Sequence, residues 1–150
     1  MKRLALFACF CLALAALAAG CGGSGGSSSG GGEFSAEANA ACTTANARVA
    51  ALPRPEGEAQ LLPYVEKTEA IVVGLEREVT ALGGSGDAIK AYLAGLEESA
   101  QVLNKMSNAA RSHNLGAVGE LASQLAEIGL ARLASAAGLG ACAKAPAVQP

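Results

Sequence analysis

Five cysteines, at positions 9, 11, 21, 42 and 142, hold most of the chemistry available to this chain. A thiol can serve as nucleophile, metal ligand, lipid attachment point or half of a disulfide, and its spacing and neighbours decide which. No Cys-x-x-Cys and no His-Glu-x-x-His occurs, so the usual zinc spacings are absent. His113 is the single histidine and sits in Ser112-His113-Asn114, a turn between two expected helices, where a solvated residue is expected rather than a base or ligand. A catalytic serine would need a base and an orienting acid, and none is evident. Glu97-Glu98 and Glu76-Arg77-Glu78 are adjacent charges on helices. Neighbours diverge by about 100° around a helix axis, so these are solvated faces rather than paired carboxylates. Gly83-Gly84-Ser85-Gly86 precedes a helix start, where an anion can bind, but it has neither a P-loop lysine nor a preceding strand, and an interhelix turn is the expected reading. Asn39, Thr43 and Asn46 form a polar stripe suited to a helix surface or to helix–helix hydrogen bonding. No catalytic residue, metal site or cofactor is expected, and the chain does not read as an enzyme.

The first three cysteines belong to export. Met1-Lys2-Arg3 is a short basic start, and Leu4 to Ala19 is an uncharged apolar run, shorter than the roughly 20 residues a membrane-spanning helix needs. Leu17-Ala18-Ala19-Gly20-Cys21 then places small residues before a cysteine, the pattern of a lipobox cut by signal peptidase II. The usual leucine three residues before the cysteine is Ala18 here, with Leu17 one further back. Residues 1–20 are read as a lipoprotein signal peptide and Cys21 as the lipidated first residue of the mature chain. Residues 21–34 are the lipidated cysteine and a tether. Gly22 to Gly32 contains only Gly and Ser, a flexible coil spanning roughly 17–20 Å by random-coil scaling. Loss of Lys2 and Arg3 leaves nine basic residues against thirteen acidic ones, a formal charge of −4. With no basic block there is no footprint for nucleic acid, and membrane attachment must come from lipid on Cys21.

Cys9 and Cys11 leave with the signal peptide and Cys21 carries lipid, so Cys42 and Cys142 remain for one bridge. The compartment beyond the cytoplasmic membrane permits disulfides. A bridge to a second chain is the alternative. The elements around the pair read as four helices spanning residues 35–142, with 143–150 a disordered tail. Helix one follows Ser35 and ends before Pro53-Arg54-Pro55, with a seam of Ala38, Cys42, Ala45, Val49 and Leu52. Helix two runs from about Glu58 to Gly83 with a seam of Leu61, Val65, Thr68, Val72, Leu75, Val79 and Leu82, and Pro63 is placed in its first turn. Helix three runs from about Asp87 to Arg111 on Ile89, Leu93, Leu96, Ala100, Leu103 and Ser107, flanked by Tyr92 and Met106. Helix four is capped by Asn114, passes through Val118, Leu121, Leu125, Ile128 and Leu133, and stops at Gly138 in a left-handed cap. Short connections make sequential helices antiparallel, so the expected fold is all-α, an up-down four-helix bundle closed by one disulfide. Gly74, Gly95, Gly119 and Gly129 fall inside expected helices, where close helix approach or local softening would account for them.

Cys42-x-x-x-Asn46 near the start and Gly138-Leu139-Gly140-Ala141-Cys142 at the close resemble a group of small lipoproteins from high-GC Gram-positive bacteria. The resemblance implies a disulfide-closed helical domain and no particular activity. The sequence reading is therefore a membrane-anchored, extracytoplasmic lipoprotein on the outer face of the cytoplasmic membrane. It acts by contact, as a binding or structural module for an envelope protein partner, or alternatively as a carrier of a small apolar ligand between its helices. Mature protein is expected to begin at a diacylglyceryl Cys21 and to sediment with membranes, and Cys21→Ala should abolish both. N-terminal mass spectrometry that finds an unmodified start beyond Cys21 would overturn the assignment.

Overall fold

A computed structural model describes residues 29–144, with side chains from residue 32. The signal peptide, Cys21, most of the Gly/Ser segment and the tail 145–150 lie outside the described residues. All regular structure among the described residues is helical: α1 Ser29–Ala50, α2 Glu58–Ala81, α3 Asp87–Arg111, α4 Leu115–Glu127, α5 Leu130–Ala136 and α6 Gly140–Ala143.

Helix α1 starts at Ser29, well before the Ser35 cap and inside the segment expected to be a coil. The reason is Phe34, which is buried with its ring against Gly84 of the α2–α3 turn. Gly84 has room for that ring only because it carries no Cβ. Anchoring the helix at Phe34 lets the preceding Ser and Gly residues extend it at the cost of propagation alone, which is far smaller than nucleation. Pro63 is the second departure. It lies in the second turn of α2 rather than the first, because the helix opens at Glu58. Both Pro63 and Ala59, the carbonyl that loses its helical partner, are exposed, so water can take over that bond.

Helices α2 and α3 have the expected ends. Gly83 adopts a left-handed φ of 70° after α2. At the end of α3 the Asn114 N–H donates to Ala109 O at 2.9 Å and the His113 N–H to Ala110 O at 3.1 Å, a Schellman closure with His113 itself at φ 57°. Asn114 then caps α4, its Oδ1 accepting from the Ala117 N–H at 3.0 Å. The buried stripe of α3 is rotated from the expected one. Tyr92, Leu96, Ser99, Leu103, Met106 and Ala110 are buried, while Ile89, Leu93 and Ala100 are half-buried.

The expected fourth helix does not exist as one rod. Gly129 takes φ 66°, ends α4 and starts α5 in a new direction. Gly138, at φ 74°, ends α5 as expected, with Leu139 N–H donating to Ala134 O at 2.9 Å. Leu139 is then fully buried and leads into α6. Consecutive long helices pack as neighbours, α1 on α2, α2 on α3 and α3 on α4, but α1 closes onto the short α6 rather than onto α4. The core divides accordingly. One cluster, centred on Phe34, Cys42, Val79, Tyr92, Leu96 and Leu139, is built by α1, α2, α3, α5 and the α6 segment. The other, of Val65, Val102, Leu103, Met106, Ala110 and Val118, belongs to α2, α3 and α4 alone.

The interior glycines separate by role. A Cβ on Gly95 would come 2.7 Å from Leu133 Cδ1, so α5 approaches α3 there, whereas Gly74 and Gly119 face open space. Gly129→Ala should therefore cost about 1–2 kcal/mol for its left-handed backbone. Gly119→Ala should gain up to about 1 kcal/mol of helix propensity. Urea unfolding that gives the two substitutions the same sign would contradict the break at Gly129.

Candidate functional site

On α1, Asn39, Cys42 and Asn46 are three and four residues apart and share one face. All three engage α6, the last described turn. Cys42 is bonded to Cys142 across a separation of 100 residues, with Cα atoms 5.0 Å apart, inside the ordinary range for a disulfide. Asn39 Oδ1 accepts from the Ala141 N–H at 2.8 Å, and Asn46 Nδ2 donates to the Ala141 O at 3.0 Å. The Asn39 amide is itself oriented by donation to Ser35 O at 2.7 Å. Both halves of the Ala141 peptide are thus held by side chains flanking Cys42. The polar stripe expected on α1 is a clasp on α6, except for Thr43, which is exposed and bonds back to Asn39 O.

Tyr92 completes this end. It is buried at 2% exposure, and because a bridged sulfur has no proton, the phenol donates to Cys42 Sγ at 3.7 Å. Desolvation by burial pushes its pKa up to about 12.

Between the two core clusters lies a cleft of about 330 Å³. Its floor is Thr68, Val72 and Leu75 of α2 with Leu96, Ser99 and Leu103 of α3. Ala45 and Val49 of α1 form one wall, Ala122, Leu125 and Leu130 of α4 and α5 the other, and Tyr92 and Cys142 stand at the clasp end. The cleft follows from the fold: α4 turns aside at Gly129 and α1 pairs with α6, so nothing fills the space a fourth straight helix would occupy. Val72 and Leu75, at the centre of the α2 seam, stay half-exposed as a result. No lining residue is charged. Four polar side chains there already bond within the chain, Thr68 Oγ1 with Tyr64 O at 2.9 Å, Ser99 Oγ with Gly95 O at 2.7 Å, Asn46 Nδ2 with Ala141 O and Tyr92 with Cys42.

The other sequence candidates lie apart from this cleft. His113 is exposed, with Nδ1 2.6 Å from the Glu58 carboxylate, a surface pair of the kind worth little. Glu97 and Glu98 are exposed on α3, and the Gly83–Gly86 stretch is an interhelix turn. Among the described residues no group of three His, Cys, Asp or Glu side chains could hold a metal. Periodicity alone passes over Ser99 and underrates Tyr92. The available signal was the run of small and hydroxyl residues, Gly95, Ser99 and Thr68, at seam positions where large aliphatic side chains would close a core. No protein-family model, curated protein or solved structure matches the chain.

Two expectations follow. Below pH 10 the Tyr92 phenol is protonated whether the chain is folded or not. Between pH 10 and about 12 the unfolded chain ionises and the folded chain does not, so stability is lost across that window. The loss should total about 2–3 kcal/mol and be missing in Tyr92→Phe, as read by urea melts between pH 9 and 12. Asn46→Ala leaves the Ala141 carbonyl without its partner and should cost about 1–3 kcal/mol with the disulfide intact. A melting temperature unchanged by that substitution would show that the clasp contributes nothing beyond the bridge.

Proposed function

We propose that this chain is a lipid-anchored extracytoplasmic protein that binds a small apolar ligand without transforming it. Signal peptide, lipobox and Gly/Ser tether would carry a helical domain off the outer face of the cytoplasmic membrane, with the α1–α4 frame running up and down around the cleft. The single observation that carries the ligand reading is the uncharged cleft of about 330 Å³ between α1 and α4. That volume lies within the range of small-molecule sites, and its lining is mostly apolar. The Thr68 and Ser99 hydroxyls are spent on their own helices and Asn46 is tied to Ala141, and Tyr92 is the one lining side chain with an ionisable proton. The carrier reading is therefore preferred over a module that docks an envelope protein partner.

Native mass spectrometry of protein purified from its host membranes tests this. Wild type should retain an apolar small molecule at one per chain. Ala122→Phe, which places a ring in the cleft, should lose it with an unchanged or raised melting temperature, as cavity filling commonly stabilises. A stoichiometric protein in place of the small molecule would sink the proposal and restore the partner module.

A further inference from the structure

We infer that the cleft accepts one linear hydrocarbon chain, an acyl or alkyl segment of roughly a dozen carbons, lying along the helices. This rests on the apolar-ligand reading above. The volume sets the size. An apolar cavity of about 150 Å³ holds benzene, and 330 Å³ is a little over twice that, so the occupant has roughly a dozen carbons. The length sets the shape. The α3 wall runs from Tyr92 to Leu103, ~16 Å at the helical rise per residue, and the α2 wall from Thr68 to Leu75, ~10 Å. A compact ring system of that carbon count is too short to reach along such a groove, whereas an extended chain of that volume matches its length. Chemistry sets the polarity. With no charge in the lining and the Thr68 and Ser99 hydroxyls turned onto their own helices, a charged head group inside would lose its water with only Asn46 and the first amides of α5 to replace it. The polar end of the molecule therefore stays outside. Cys142 and Tyr92 block the clasp end, so the chain enters through the open side between α1 and α4.

The test is photo-crosslinking in membranes that carry the intact anchored protein. Two probes are compared, a twelve-carbon fatty acid with a diazirine near its tail and adamantyl diazirine, a compact cage of similar carbon count. Peptide mass spectrometry should place the linear probe on Thr68–Leu75 and Tyr92–Leu103 and the cage on neither. Ala122→Phe should abolish the linear labelling. Competition by free fatty acids of increasing length should peak near the length of the cleft. Competition by phosphatidylcholine vesicles instead would assign the chain to a membrane lipid. Equal or stronger cleft labelling by the cage would overturn the linear-chain inference while leaving an apolar site in place. Absence of cleft labelling by both probes would overturn the site itself.

Discussion

The bond between Cys42 and Cys142 joins α1 to the last described turn, and the arrangement of everything between depends on it. It closes a loop of 100 residues, and the chain-entropy model assigns such a closure about 4.7 kcal/mol as an upper figure. A small domain has roughly 5–15 kcal/mol of net stability, so the bridge is of the same order as the whole. The core it closes is poor in large side chains. No Trp occurs, and Ala38, Ala45, Ala110 and Ala134 fill buried positions. Alanine buries little apolar area per residue, so hydrophobic burial alone gives this bundle less than a leucine-rich one. The Asn39 and Asn46 contacts to Ala141 fix the orientation of α6 that the covalent bond alone would leave free to rotate.

That choice of partner for α1 has a cost on the other side of the molecule. A helix pairs along its length with few others, and α1 gives its faces to α2 and α6. Helix α4 packs chiefly on α3, with α2 reaching it through their shared core cluster, and Gly129 then directs α5 back toward Gly95 and the clasp. Two compact clusters and a hollow between them are the geometric result. Thr68 and Ser99 lie buried beneath it, their hydroxyls each satisfied by a carbonyl of their own helix.

Much of this was legible in the residues. Three-and-four spacing located α2 and α3, Asn114 and Gly138 marked true helix boundaries, and the count of cysteines paired the right two. The break at Gly129 also had a signature. Val118, Leu121, Leu125 and Ile128 keep the helical step, but the next apolar position taken, Leu133, is five residues on, with a glycine between. Periodicity absorbs one such slip without complaint, and only the tertiary pull of Gly95 on Leu133 shows that it is a corner. The early start of α1 had no local signal at all, since Ser and Gly are poor helix formers and the cause is Phe34 meeting Gly84 fifty residues away. The cleft was unreadable for the same reason: it is defined by which helices fail to touch.

The position of the disulfide also decides how the molecule bears tension. The described chain enters at Ser29 and leaves at Lys144, and both ends lie outside the covalent ring that Cys42 and Cys142 close. A pull between the two ends runs along α1 as far as Cys42, crosses the sulfur–sulfur bond, and departs through α6. Helices α2 to α5 hang on that line as an unloaded loop. The domain is thus mechanically short-circuited, and drag on whatever follows residue 144 would strain the clasp while leaving the walls of the cleft slack.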